Sequence, residues 1–160
     1  MPIKVIALDV DGVLTDGGLW LGPDGQEWKR FSFADIMGLS LARKAGIRLA
    51  LISGEDSPTI DHLASKMNIT EVYKNCKDKA RALRSAAEHY NLQLEETCFM
   101  GDDVNDLVAL EIAGLAAAPA NARPVVLAKC HLVTKANGGN GAVRELIDHL
   151  LAQAAAAAGH

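Results

Sequence analysis

Short apolar runs recur along the chain, and several break off at a polar or glycine-containing cluster. Ile3 to Leu8 predicts a buried strand ending at Asp9, and Ile47 to Ile52 a second ending at Ser53-Gly54. Glu71-Val72-Tyr73 predicts a short strand, and Thr97 to Met100 one that ends at Gly101-Asp102-Asp103. Leu115 to Ala118 and His131 to Val133 complete the set. Between these runs the spacing turns helical. Ala34 to Ala45 carries Ile36, Leu39, Leu41 and Ala42 on one stripe and stops at Gly46. Ser57 and Pro58 look like an N-cap and first helical residue, opening a helix to about Met67. Lys77 to Tyr90, Asn105 to Ala113, Pro124 to Lys129 and Ala142 to Leu151 predict further helices. Leu19-Trp20-Leu21 and Glu27 to Phe31 predict a hairpin around the turn Gly22-Pro23-Asp24-Gly25.

Strands alternating with helices imply an α/β fold, with a parallel sheet covered on both faces. Ligands of such sheets sit beyond the carboxyl ends of the strands. Asp9-Asp11, Ser53-Gly54 and Asp102-Asp103 each follow a strand, so three chemical groups fall on one sheet edge. Residues 1–152 are expected to form one domain, with the hairpin at about 17–31 and an Ala-rich tail at 153–160. That tail reads either as a frayed extension of the last helix or partly as a cloning remnant.

Composition narrows the function classes. Hydrophobic residues at 49% of a 160-residue chain fill the core of a single domain. A net charge of −4, with no basic run longer than Lys29-Arg30, argues against a broad nucleic-acid surface. Cys76, Cys98 and Cys130 form no CxxC pair and read as reduced thiols. The apolar stretch Ile3 to Leu8 is too short for a signal peptide core, and no run reaches the length of a membrane span. The expectation is a cytoplasmic protein with no membrane or nucleic-acid partner.

Asp9-Val10-Asp11-Gly12 places two carboxylates just past a strand, with a glycine where the chain must turn. Two acids in one site suit unequal roles, one ionised nucleophile and one proton carrier. Solvated turn aspartates and a calcium loop are the alternatives, but the later bidentate Glu and flanking helices of a calcium loop are missing. Gly101-Asp102-Asp103-Val104-Asn105-Asp106 adds three more carboxylates at the same edge. Such crowding raises carboxyl pKa values unless a cation intervenes, and hard oxygen ligands suit Mg²⁺. Asp102 is the expected ligand; Asp103 and Asp106 suit capping or support of the following helix. Ser53 and the Gly54 N–H offer donors to a phosphoryl oxygen. Lys79 opposes the dipole of its own helix, which hints at a partner charge.

In this order the four segments resemble those of the haloacid dehalogenase superfamily of phosphatases, over nearly the whole chain. The resemblance implies a Rossmann-like fold and a mechanism. Asp9 becomes an aspartyl phosphate, and Asp11 protonates the leaving oxygen and then activates water. Asp9, the Asp11 backbone carbonyl and Asp102 hold Mg²⁺, while Ser53, Gly54 and Lys79 bind the phosphoryl oxygens. Short connections from Thr15 to Ala34 and from Gly54 to Lys79 imply a member without a cap domain.

Within the superfamily, the chain resembles the capless phosphatases of 2-keto-3-deoxy sugar acids. The matching segments are Thr15-Asp16-Gly17-Gly18, Glu27-Trp28-Lys29-Arg30-Phe31 and Gly138-Gly139-Asn140-Gly141-Ala142-Val143-Arg144-Glu145. That likeness implies a homotetramer whose hairpins pool into a central barrel, burying Leu19, Trp20, Leu21 and Trp28; a hairpin folded back on its own domain is the alternative. Ser32, Asp35, Glu55 and Lys66 are the positions expected to set specificity. Phosphatases of the eight-carbon 3-deoxy-manno-octulosonate 8-phosphate commonly carry Arg where this chain has Ala34, Glu55 and Leu63. Glu55 with Lys66 looks more like the phosphatases of nine-carbon nonulosonate 9-phosphates. The expected substrate is therefore a nonulosonate 9-phosphate, with the octulosonate ester second. Two other classes compete: an assembly domain like those attached to sialate cytidylyltransferases, and a phospho-accepting receiver domain. Intact Asp9, Asp11, Lys79 and Asp102 argue against the first, and an acidic pair after the first strand argues against the second.

Overall fold

A computed structural model describes residues 2–159. Its main sheet contains six parallel strands: β1 (Val5–Leu8), β4 (Arg48–Ile52), β5 (Glu71–Tyr73), β6 (Thr97–Met100), β7 (Leu115–Ala118) and β8 (Leu132–Val133), in the order β5-β4-β1-β6-β7-β8. The first strand is thus central, between β4 and β6, with Leu8 level with Leu51 on one side and Met100 on the other. Asp9, Ser53 and Gly101 consequently leave the sheet on neighbouring strands at the same edge.

Alternating side chains divide between two helical layers. Ile6, Leu8, Leu49, Leu51 and Met100 face α1 (Phe33–Lys44), α2 (Pro58–Met67) and α6 (Ala142–Ala158). Ala7, Ala50, Ile52, Phe99, Ala116 and Ala118 face α3 (Lys79–His89), α4 (Leu107–Ile112) and α5 (Pro124–Leu127). Small residues dominate the second set, and the large Phe99 ring fills the space they leave.

Several helix ends differ from expectation. The segment after β6 begins as a 3₁₀ turn, Val104–Asp106, because the Asp103 and Asp106 carboxylates accept backbone N–H groups there. The last helix runs on to Ala158, so residues 153–158 are its final turns, consistent with the high helix propensity of alanine. The turn starting at Pro124 is helical only to Leu127. Strands β2 (Trp20–Leu21) and β3 (Glu27–Trp28) form a separate two-stranded hairpin. Its apolar side chains are not buried on its own domain: Trp20 is 73% exposed, and Leu19, Leu21 and Trp28 are exposed beside it.

The α6 N-terminus corrects one sequence expectation. Its N-cap, Gly141, has no side chain to offer, and the cap comes instead from Asp35 on α1. The buried Asp35 Oδ1 accepts from the Arg144 N–H at 2.9 Å, while Oδ2 has no hydrogen-bond partner. Burial raises its pKa, opposed by backbone donors of Arg144, Gly141 and Val143. Asp35 therefore joins two helices and is buried there, rather than lining a cavity as a specificity residue would. Gly38 completes the contact, since a Cβ there would lie 3.2 Å from the Arg144 Cα. Removing this cap with Asp35→Ala should cost about 1–2 kcal/mol. Urea unfolding followed by circular dichroism measures it.

Candidate active site

Asp9 follows β1 directly and is 6% exposed. Its Oδ1 accepts from the Val10 N–H at 2.9 Å and from Lys79 Nζ at 3.0 Å. Lys79 opens α3, capped by Asp78, and its side chain is 1% exposed. Its Nζ also lies 2.7 Å from Asp106 Oδ1. A buried ammonium at a helix N-terminus is doubly disfavoured, by desolvation and by the dipole. Two carboxylates compensate: burial works against the ammonium, but Asp9 and Asp106 outweigh it and raise the Lys79 pKa.

Asp106 is fully buried and both its oxygens are engaged. Oδ2 accepts from the N–H groups of Asp102 at 2.9 Å and Asp103 at 3.2 Å, folding this turn back over the sheet edge. The turn needs Gly101, because a Cβ there would lie 2.5 Å from the Asp106 Cβ. Asp103 is exposed and caps the 3₁₀ turn through the Val104 N–H. Opposite, Gly12 takes φ +87°, and a Cβ on it would sit 1.8 Å from Asp102 Oδ2. The Gly12 turn is pinned from behind: Asn121 Nδ2 donates to its carbonyl at 3.1 Å, and Asn121 Oδ1 accepts from the Gly138 N–H at 2.6 Å.

Asp9, Asp102 and Asp106 each offer an oxygen within 4.8 Å of the others. Desolvation first, then the charge of Asp106, drives the Asp9 carboxyl well above its usual range, against the pull of Lys79. Burial likewise pushes Asp102 from 3.8 to about 6; its bond to Asp9 lowers it, and Asp106 and Asp103 raise it. Three carboxylates thus crowd one point of the sheet edge, with Lys79, among the described residues, the one ammonium in contact with Asp9 and Asp106. A dication held by these carboxylates would relieve that crowding, so the donor set fits a hard cation.

A cavity of 460 Å³ opens on this edge, walled by Asp9, Asp11, Ser53, Gly54, Glu55 and Asp102 among others. Ser53 Oγ accepts from the Glu55 N–H at 3.1 Å, which fixes the loop after β4. Glu55 alone of the four expected specificity residues lines the cavity. Ser32 caps α1 through the Ala34 N–H, and Lys66 lies 5.7 Å over the Phe33 ring. Cys76, Lys77 and Asn105 also line the cavity. No motif singled out Cys76 or Lys77, which only the tertiary approach of their loop brings here, whereas Asn105 lies within the Gly101 to Asp106 segment. Lys29 Nζ meets both Asp11 oxygens, at 3.0 and 3.1 Å, another contact without local sequence signal. A larger cleft of 640 Å³ includes Arg43, Lys44 and Arg48 but none of these carboxylates, since it lies at the opposite, amino ends of β4 and β5.

The raised Asp102 pKa has a definite consequence for the metal-free protein. Folding takes up a proton at Asp102 between 3.8 and about 6. That stabilisation is complete below the lower value and disappears as pH rises through the upper one. The melting temperature of the metal-free protein should therefore fall relative to Asp102→Asn between about pH 4 and pH 7, and Mg²⁺ should raise it more at about pH 7.5 than at about pH 5. Differential scanning fluorimetry with and without chelator reads both effects.

Comparison with known proteins agrees with this geometry. A family model described as haloacid dehalogenase-like hydrolase matches residues 49–146. The 3-deoxy-D-manno-octulosonate 8-phosphate phosphatase of Escherichia coli (strain K12) is 35% identical over 93% of this chain and 79% of its own length. The crystal structure of that phosphatase from Moraxella catarrhalis, in complex with magnesium ion, phosphate ion and KDO, superposes with a TM-score of 0.90. It is 35% identical, covering 93% of this chain and 86% of that one. The cobalt-bound Haemophilus influenzae enzyme gives 0.91, with 34% identity over 93% of this chain and 87% of that one. The chain belongs to the haloacid dehalogenase-like hydrolases, among their phosphatases.

Proposed function

We propose that the protein is a Mg²⁺-dependent phosphatase of 3-deoxy-D-manno-octulosonate 8-phosphate, working through a phospho-aspartyl intermediate on Asp9. The observation that carries this reading is the 35% identity to the octulosonate phosphatases over 93% of the chain. The sequence-based expectation put the nine-carbon ester first and the eight-carbon ester second; the relatives support the reverse order. Glu55 is the specific observation on the other side. It lines the cavity at a position where octulosonate phosphatases commonly carry Arg, and an acid does not clamp a carboxylate.

In this reading Asp9 attacks phosphorus as the ester bond breaks, and Asp11 gives its proton to the departing oxygen. Asp11 then takes a proton from the water that hydrolyses the aspartyl phosphate. Ser53, the Gly54 N–H and Lys79 bind the phosphoryl oxygens, and Lys79, already 3.0 Å from Asp9, also offsets the charge brought together there. Asp9, the Asp11 carbonyl and Asp102 would hold Mg²⁺, which neutralises charge that otherwise repels a phosphate dianion. Asp106 and Asp103 hold the turn that presents Asp102. Four chains assemble through their hairpins; the exposed Trp20, Leu21 and Trp28 support this, being a liability on a lone chain.

Phosphate release from the octulosonate 8-phosphate and from the 9-phosphates of deaminated and N-acetylated neuraminic acid, with and without Mg²⁺, tests the assignment. The eight-carbon ester should turn over fastest, and only with the metal. Preference for a 9-phosphate instead assigns the nonulosonate activity. Light scattering on the same sample should give about four times the 17.0 kDa chain mass.

A further inference from the structure

Lys29 directly follows β3 on a hairpin that is otherwise open to solvent, yet its side chain is only 3% exposed. Its Nζ lies 3.0 Å from Asp11 Oδ1 and 3.1 Å from Oδ2. Among the described residues, no other donor hydrogen-bonds to that carboxylate. Asp11 lines the cavity and Lys29 does not. The ammonium thus stands behind Asp11 and faces the cavity only through it. This separates it from Lys79, which touches Asp9.

A carboxylate that a buried ammonium holds has its position set by that contact, whereas one met only by solvent turns more freely. The Asp11 side chain is 30% exposed, so without Lys29 its carboxylate would exchange the restraint of a fixed donor for water. Proton transfer demands that restraint, because the acid must lie within hydrogen-bond reach of the departing oxygen.

We propose that Lys29 is a positioning residue for proton transfer by Asp11, and that the hairpin thereby takes part in catalysis. The inference rests on the reading of Asp11 as the general acid. The proton passes from one Asp11 oxygen to the ester oxygen as its bond to phosphorus breaks and the Asp9–phosphorus bond forms. The other Asp11 oxygen continues to accept from Lys29 throughout. Lys29 itself bonds neither to the substrate nor to the reacting phosphorus.

The test is the leaving-group dependence of kcat/KM, which reports the steps through departure of the alcohol. It uses the full chain with Mg²⁺ and a series of aryl phosphates running from p-nitrophenyl phosphate to phenyl phosphate. Lys29→Met should lose on the order of 10- to 100-fold on phenyl phosphate, part of the 10²–10⁴ that general acid catalysis supplies. On p-nitrophenyl phosphate, whose leaving group departs without a proton, the loss should stay under about threefold. Asp11→Asn should show the same steepening to a greater degree, and Lys29→Arg should recover most of the loss. Lys29→Gln carries the same comparison if the Met variant does not fold, as judged by its melting curve.

An equal loss across the series would make Lys29 a structural tether and overturn the proposal. So would a loss confined to KM for the sugar acid phosphate, which would place Lys29 on the substrate. Steepening in Asp11→Asn without steepening in the Lys29 variants removes the role of Lys29 alone. No steepening in Asp11→Asn, or no Mg²⁺-dependent turnover by the wild type, removes the assignment of Asp11 and the proposal with it.

Discussion

Four carboxylates and two ammonium groups meet at the carboxyl ends of β1 and β6, and the site is organised by how they compensate one another. Lys79 is shared between Asp9 and Asp106, and Lys29 holds Asp11. Among the described residues Asp102 has no ammonium of its own, and burial together with the charge of Asp106 is why the Asp9 and Asp102 carboxyls titrate high. A site with this residual negative charge calls for a cation before a phosphate dianion can enter. The metal requirement is thus a property of the charge balance as much as of any one ligand.

Positioning that balance takes most of the fold. A parallel sheet with β1 at its centre places the loops after β1, β4 and β6 side by side. Gly12 and Gly101 occupy the points where those loops press on Asp102 and Asp106, and neither tolerates a Cβ. Asn121 and Gly138 brace the Gly12 turn from behind, and Asp35 fastens α6 to α1 just beyond that brace. Residues far apart in the chain therefore fix the position of a few carboxylate oxygens to within an ångström or so, the precision such chemistry demands.

Much of this was legible in the sequence because strand periodicity and strand-end chemistry coincide. Asp9, Ser53 and Asp102 could be placed on one edge because each follows an apolar run too short for anything but a strand. The oddity of Lys79 at a helix start correctly signalled a partner charge, and the structure supplies two. What stayed hidden depends on contacts between distant segments. Lys29 sits in the Glu27 to Phe31 segment noted from the sequence, but nothing local says that it meets Asp11, 18 residues away. Asp35 carries no sign that it caps a helix 109 residues further on. The Ala-rich tail offered two readings because propensity alone does not fix where a solvent-exposed helix ends. Substrate choice was the least legible: Glu55 lines the cavity, but no local pattern says which sugar acid suits an acid there.

The central claim is that Asp9 carries the phosphoryl group. The most direct measurement is rapid acid quench of the enzyme during turnover with Mg²⁺, followed by mass spectrometry of the peptides. A transient phosphoryl adduct should appear on the peptide containing Asp9, dependent on Mg²⁺ and absent from Asp9→Asn. Turnover that proceeds with no adduct at Asp9, or with the adduct on another residue, would contradict it.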